Sequence, residues 1–308
     1  MKKNILFALT LVLVLSTVSC DKVKYPVKVV TELDTTLFTD GQFAEYPWPT
    51  FEVNTNSDRN ILLEDYTGHK CPNCPAAATE AANIESANNG RVFVASIHAA
   101  SGGSYTGGFQ SVSADCSDPS TVFCHDFRTP EGEEYGSQFS SGYNFTFNPK
   151  GTINRAFGTD MFSKKDYWAG KVNDMLAEND LNVNIQAKSN YYAASKGVYL
   201  HISTDFLEDL SGDYSMTTYV IQNSLIADQD SVGVHLHHYH HHNVFLGCID
   251  AQAWGQSIGG TSPTAGTNVK TDYSYVIPTG IEANEIHFLT YVYNVETYEI
   301  LQVIKHEL

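Results

Sequence analysis

The chain has 308 residues, enough for two domains of ordinary size. Its 35 acidic residues against 18 Lys and Arg give a net charge of −17, which argues against nucleic acid and against electrostatic docking on anionic lipid. The 18 Tyr and 16 Phe argue against disorder and favour strand-rich structure.

The N-terminus reads as an export signal over residues 1–19. Met1-Lys2-Lys3 is its positive end, and the apolar run from Ile5 to Leu15 is too short to span a bilayer comfortably. Thr17, Val18 and Ser19 are small, and Cys20 follows. This looks like a bacterial lipoprotein signal, in which Cys20 becomes the lipidated first residue and carries the outer-membrane anchor. Thr17 stands where leucine is usual, so cleavage by an ordinary signal peptidase before Cys20 is the alternative. Residues 20–58 follow as anchor and linker. They are polar, stiffened at Tyr46-Pro47-Trp48-Pro49, and part of them is expected as an edge strand.

Residues 59–180 form the first domain. Asn60–Tyr66 is a predicted strand, Pro75–Asn88 a helix with Pro75 in its first turn, and Arg91–His98 a second strand. The helix crossing between the strands makes them parallel. Its small apolar set, Ala78, Ala81, Ala82 and Ile84, suits close packing on a sheet. Residues 99–130 break the pattern as a Gly-rich insertion, of a length usual for functional or disordered loops. Residues 131–140 are a predicted helix, and Lys164–Asn179 an amphipathic one with Tyr167, Trp168, Val172, Met175 and Leu176 on one side. Past residue 180 come short strand-like runs at 181–188, 197–205, 214–222, 232–238, 243–249, 273–277, 285–293 and 299–305, with Gly255–Thr267 as loop. Their spacing predicts a β-sandwich over 181–308. The fold class is therefore α/β plus all-β.

Between the first strand and helix lies Cys71-Pro72-Asn73-Cys74. A C-x-x-C at a strand–turn–helix junction points to thiol–disulfide chemistry. The helix N-terminus favours the thiolate of Cys71, and His69 and Lys70 add positive charge nearby. The bland alternative is a closed disulfide that staples the turn, or a pair of quiet thiols. Of the six cysteines, Cys116 and Cys124 are the other local pair expected to form a structural disulfide, and Cys248 is left single. The run from His235 to His242 holds six imidazoles. Strand alternation puts His238, His240 and His242 on one face and His235, His237 and His241 on the other, so the six cannot converge on one ion. His238, His240 and His242 are the metal candidates, yet the bland reading, a solvated His-rich strand, is preferred. No native metal and no cofactor are expected. Pro75 stands where haem attachment through C-x-x-C-H needs histidine.

The residues around Cys71 resemble thioredoxin-fold proteins. That resemblance implies that Asp65 is the buried acid moving protons for the dithiol, that Cys74 resolves mixed disulfides, and that Pro149 is the cis-proline beside them. Lys70 departs from the usual tryptophan. Nearly the whole chain after Cys20 is similar to Bacteroidetes outer-membrane lipoproteins related to the twenty-eight-kilodalton outer-membrane protein. The residues that carry this are Glu64–Pro75, Ile153-Asn154-Arg155, Tyr239–Phe245, Ala253-Trp254-Gly255 and Glu299–Val303. The family implies a thioredoxin-like domain before a β-rich one, lipid-anchored at the outer membrane on a face left open. Its partners would be envelope or surface proteins. Two functions follow as expectations: thiol–disulfide exchange through Cys71 and Cys74, or surface binding and adhesion with the thioredoxin fold as a redox-silent scaffold.

Overall fold

A computed structural model of the protein describes residues 33–38, 48–88, 90–102, 108–118 and 120–308. The export signal, Cys20 and most of the lead segment lie outside the described residues. The fold is mixed α/β, mostly sheet with few helices. Among the described residues the strands form two sheets, one of eight strands and one of three.

The chain enters the larger sheet through β1 (Ile61–Tyr66), crosses by α1 (Cys74–Ala87) and returns in β2 (Val92–Ile97), parallel to β1 with Ile61 opposite Val92 and Tyr66 opposite Ile97. Both strands are mostly apolar, as strands covered on both faces must be. Ala77, Ala81 and Ile84 of α1 pack against Ile61, Leu63, Val92 and Val94. Ala78 and Ala82, expected in that core, instead line a cavity beside it. After α2 (Pro130–Phe139), whose cap Thr129 accepts from the Gly132 N–H, comes the cis peptide Asn148–Pro149. Next is β3 (Lys150–Ile153), antiparallel to β1. In α3 (Trp168–Glu178) the buried stripe is Trp168, Val172 and Met175. Tyr167, predicted to share that stripe, sits in a preceding 3-10 turn and is exposed.

The remaining strands are β4 (Val183–Tyr192), β5 (Gly197–Phe206), β6 (Asp213–Ser231), β7 (Val234–Cys248), β8 (Gln256–Thr261), β9 (Asn268–Val276), β10 (Ile286–Asn294) and β11 (Ile300–Glu307). The larger sheet runs β11-β10-β6-β7-β2-β1-β3, with β8 also on β6. Strands from either side of residue 180 thus share one sheet, joined where Ser96 of β2 lies opposite Val244 of β7. β4, β5 and β9 form the second sheet. Val183, Leu200 and Ile202 from it share a core with Met216, Val220, Phe288 and Val292 of the first.

Three expectations are corrected. β8 replaces part of the expected 255–267 loop, because Gln256 and Ile258 are buried against β6 despite the glycines around them. The runs at 214–222, 232–238 and 243–249 are two long strands, β6 and β7, closed by a turn at 232–233. Their outer half shows no apolar alternation because it is a two-stranded arm with little core to face. The lead segment makes no strand among its described residues. Side chains of β4 hold its backbone instead, with Asn184, Gln186 and Lys188 donating to Asn56, Glu52 and Thr50 carbonyls.

One buried ion pair ties the layers together. Arg155 and Glu64 are both fully buried and meet at 2.7 and 2.8 Å through two guanidinium nitrogens. Thr152 and Tyr219 also donate to the carboxylate, and the rings of Tyr135, Phe139 and Tyr291 surround the guanidinium at 4.8 to 5.4 Å. Burial alone would raise the Glu64 carboxyl, and Arg155 overrides it and holds it low. Beside it, the Asn154 side chain accepts from the Leu62 N–H and donates to the Asn60 carbonyl. Tyr135 donates to the Ala253 carbonyl, Trp254 packs on Tyr135, and Gly255 holds φ +57. A Cβ on Gly255 would lie 1.9 Å from the Met216 carbonyl oxygen.

Candidate functional site: a covered disulfide above a buried carboxyl

Cys71 and Cys74 are joined by a disulfide at the start of α1, whose N-terminal residue is Cys74. Both are 1 % exposed. Two segments cover them. From one side comes the insertion: the Phe109 carbonyl accepts from the Lys70 N–H, and Gly68 is so close to Phe109 that a Cβ would meet its side chain at 2.7 Å. From the other comes the β6–β7 arm. Its Gln229 side chain donates to the Gly68 and Cys71 carbonyls at 3.3 and 3.1 Å, and its Asp230 N–H donates to the His69 carbonyl at 2.7 Å.

The two covers also hold each other. The Phe123 N–H of the insertion donates to Asp228 of the arm at 2.9 Å. A second disulfide, Cys116–Cys124, closes the insertion on itself. His69 does not contribute the charge expected of it, because burial lowers its pKa and keeps the ring neutral. Its Nε2 faces the Ser111 carbonyl at 2.9 Å, so that nitrogen is the donor. Lys70 is turned toward the insertion, donating to Ser111 Oγ with its ammonium 5.1 Å from the Phe123 ring centre.

Beneath the disulfide lies a cavity of about 380 Å³, lined among others by Asp65, Cys74, Ser96, His98, Gln229 and His241. Asp65 is fully buried on β1, and among the described residues neither of its carboxylate oxygens has a hydrogen-bond partner. Burial pushes its carboxyl up to about 7, because a charge in low dielectric without compensating donors is costly. His98 and His241 share the cavity wall, with ring centres 5.6 Å apart. Burial holds His98 well below the ordinary imidazole value and brings His241 down to about 4, so both are neutral near pH 7. The cavity wall therefore includes one acid poised to take or release a proton and the neutral rings of His98 and His241.

Pro149, at the head of β3, follows Asn148, whose side chain donates to the Tyr66 and Ala99 carbonyls and accepts from Gln110. That network ties the cis-peptide segment to the end of β1, just before the cysteine turn. Cys248 is buried elsewhere, 3.4 Å from the Tyr135 hydroxyl, and burial pushes its thiol well up, so it is an unreactive core residue. His238, His240 and His242 are exposed on the arm, His240 and His242 at the edge of the same cavity, while Asp228, His235 and His237 are the group whose ligand atoms are brought together. Sequence reasoning missed Gln229, His98 and His241 at the cavity. Their only sequence signal was position, a polar residue in the His-rich arm or one ending a buried strand.

A family model described as outer membrane protein Omp28 matches residues 136–308, more than half of the chain. The chain belongs to the Omp28 family. Its place is accordingly the outer membrane, and no helix among the described residues is long and apolar enough to cross a membrane. Among solved structures it is similar to HBP35 of Porphyromonas gingivalis, at 14 % identity and TM-score 0.62, covering 83 % of this chain and 77 % of that one. It is also similar to a structural-genomics protein from Agrobacterium tumefaciens, at 12 % identity and TM-score 0.50, covering 82 % and 96 %. A domain of the outer membrane lipoprotein Omp28 from Porphyromonas gingivalis matches at 18 % identity and TM-score 0.29 over 42 % of this chain and 88 % of that one. At such low identities the first two likenesses establish a shared fold only. Comparison with curated proteins returns no match.

Proposed function

We propose that this Omp28-family protein is a lipoprotein, anchored through Cys20, whose thioredoxin-like domain over 59–180 exchanges thiols and disulfides with envelope or surface proteins. A β-sandwich-like region over 181–308 would supply the partner-binding surface. The observation that carries this reading is Asp65, buried without a partner in the cavity it shares with Cys74, with its carboxyl pushed up to about 7. A structural staple needs no such group, and an unpartnered buried carboxyl is costly to keep.

In the reducing direction, the Cys71 thiolate attacks one sulfur of the partner's disulfide. A mixed disulfide forms, and the first partner sulfur leaves as a thiolate. Asp65 then takes the Cys74 proton, and the Cys74 thiolate attacks Cys71 Sγ and expels the second partner thiolate. Two electrons pass to the partner, and Cys71–Cys74 closes into the disulfide of this structure. Because Cys71 is covered by Gln229 and the insertion, partner access requires the arm to lift. The same burial favours the second reading, a redox-silent binding or adhesion protein with Cys71–Cys74 as a fixed staple.

Dithiothreitol-driven insulin reduction distinguishes the two. On the exchange reading the protein accelerates the reaction, Cys71→Ser abolishes the acceleration, and Asp65→Asn slows it about a hundredfold, the lower range for general acid–base catalysis. Identical rates for the wild type and Cys71→Ser would leave the scaffold reading in place.

A further inference from the structure

The β6–β7 arm carries a second constellation, apart from the cavity. Around its outer turn the ladder is irregular. Ala227 pairs with Tyr239 and Gln229 with Leu236, so Asp228 alone faces both His237 and His238. This bulge re-aims the Asp228 side chain, as bulges do, toward His235 and His237, which keep the common face that strand alternation gave them. Asp228 Oδ1 becomes the meeting point of two imidazoles, with His235 Nε2 at 2.9 Å and His237 Nδ1 at 3.3 Å. All three ligand atoms lie within 4.8 Å of one another.

We propose that Asp228, His235 and His237 form a binding site for one zinc ion. Four donors at about 2.0 Å around a tetrahedral ion are separated by roughly 3.3 Å, and the two short separations here, 2.9 and 3.3 Å, already approach that spacing. Two imidazoles and a carboxylate are a set suited to zinc, with a fourth position left for water or a partner's donor. His237, with 63 % of its side chain exposed, leaves that position open to solvent.

Independent support comes from the groups behind the ligands. His235 turns its other nitrogen, Nδ1, onto the Asp230 carboxylate at 3.2 Å, which fixes the ring so that Nε2 faces the site. The second oxygen of Asp228 accepts from the Phe123 N–H, which leaves Oδ1 for the ion. A carboxylate behind a metal-binding imidazole and a hydrogen bond behind a metal-binding carboxylate are the outer partners that orient such ligands. A surface Asp–His pair formed for its own sake needs neither. Gln229 and Asp230 of this same turn bond to the cysteine loop, so the ion sits on the arm that covers the disulfide.

The test is isothermal titration of the purified, untagged protein with zinc chloride at pH 7.5, the disulfides kept oxidised. One equivalent should bind. His238→Ala/His240→Ala/His242→Ala should bind as the wild type does, since those rings lie outside the constellation. Asp228→Asn and His237→Ala should each weaken binding by tenfold or more, and Asp230→Asn, which touches no ion, by about tenfold. Circular dichroism of each variant checks that it folds, and the exposed His237 carries the test if Asp228→Asn does not. Two results overturn the site: no saturation below millimolar zinc, or binding that survives His237→Ala and disappears with the exposed triple variant.

Discussion

Replacing Asp65 by Asn should stabilise the protein by an amount that grows from pH 4 to pH 7 and holds above it. The carboxyl goes from an ordinary 3.8 to about 7 on burial. Three pKa units at 1.36 kcal/mol each amount to about 4 kcal/mol. Between pH 4 and 7 the folded chain holds a proton that the unfolded chain has released. By linkage, stability must therefore fall as pH rises through that window, and the whole penalty is present above pH 7. Asparagine has nearly the same shape and also lacks partners at this position, but it cannot ionise. Wild type and Asp65→Asn should then be equally stable near pH 4, and the variant should lead by up to about 4 kcal/mol at pH 8. Urea unfolding followed by tryptophan fluorescence, without reductant, measures this. With a slope near 2–3 kcal/mol per molar urea, the midpoint should shift by about 1.5 M at pH 8. Groups such as His98 titrate in both proteins and cancel in the difference. A gap between wild type and variant that is the same at pH 4 and pH 8 would refute the reasoning, because it would mean Asp65 is ionised or solvated in the fold at both.

The cavity histidine should act in the opposite direction. With His241 brought down to about 4 by burial, the folded state resists a proton that the unfolded chain accepts below its ordinary 6.5, so stability is lost as pH falls from 6.5 toward 4. His241→Gln should gain about 2 kcal/mol at pH 5 and almost nothing at pH 8, as read from urea midpoints at the two values. Glu64→Gln strands the buried Arg155 guanidinium without a counter-charge. It should cost about 3–5 kcal/mol, and a loss under 1 kcal/mol in chemical denaturation would remove the pair from its place as the tie between layers. Gly255→Ala meets both the left-handed backbone and the Met216 carbonyl, and should cost about 3 kcal/mol or more in thermal or urea unfolding.

The parts of this architecture legible in the sequence are those where a local pattern decides the outcome. Apolar runs at 60–66 and 91–98 around a helix gave a parallel pair, since helix length and connection handedness leave few choices. The cysteine turn was legible for the same reason. What sequence could not supply was the long-range return of the chain. Gln229 lies 158 residues from Cys71 yet covers it, and no periodicity in a polar arm announces such a contact. The bulge at Asp228 likewise depends on the register between two strands. The buried pair of Glu64 and Arg155 is a third case. Both residues stood out only as family positions, and the closure of aromatic rings around them, which accompanies their burial, depends on contacts distant in sequence. Among the family blocks, Glu64–Pro75 therefore spans both a structural tie and the candidate site, while Asn154-Arg155 and Ala253-Trp254-Gly255 are scaffold.

Whether Cys71 and Cys74 cycle is the central claim, and one titration tests it most directly. The protein is equilibrated in graded glutathione and dithiothreitol buffers, free thiols are trapped, and the alkylated cysteines are mapped by mass spectrometry. The exchange reading requires Cys71 and Cys74 to open and close together between about −120 and −270 mV, the range of working thiol–disulfide enzymes. A pair that stays closed below about −300 mV would contradict it and leave the covered disulfide as a staple in a surface-binding protein.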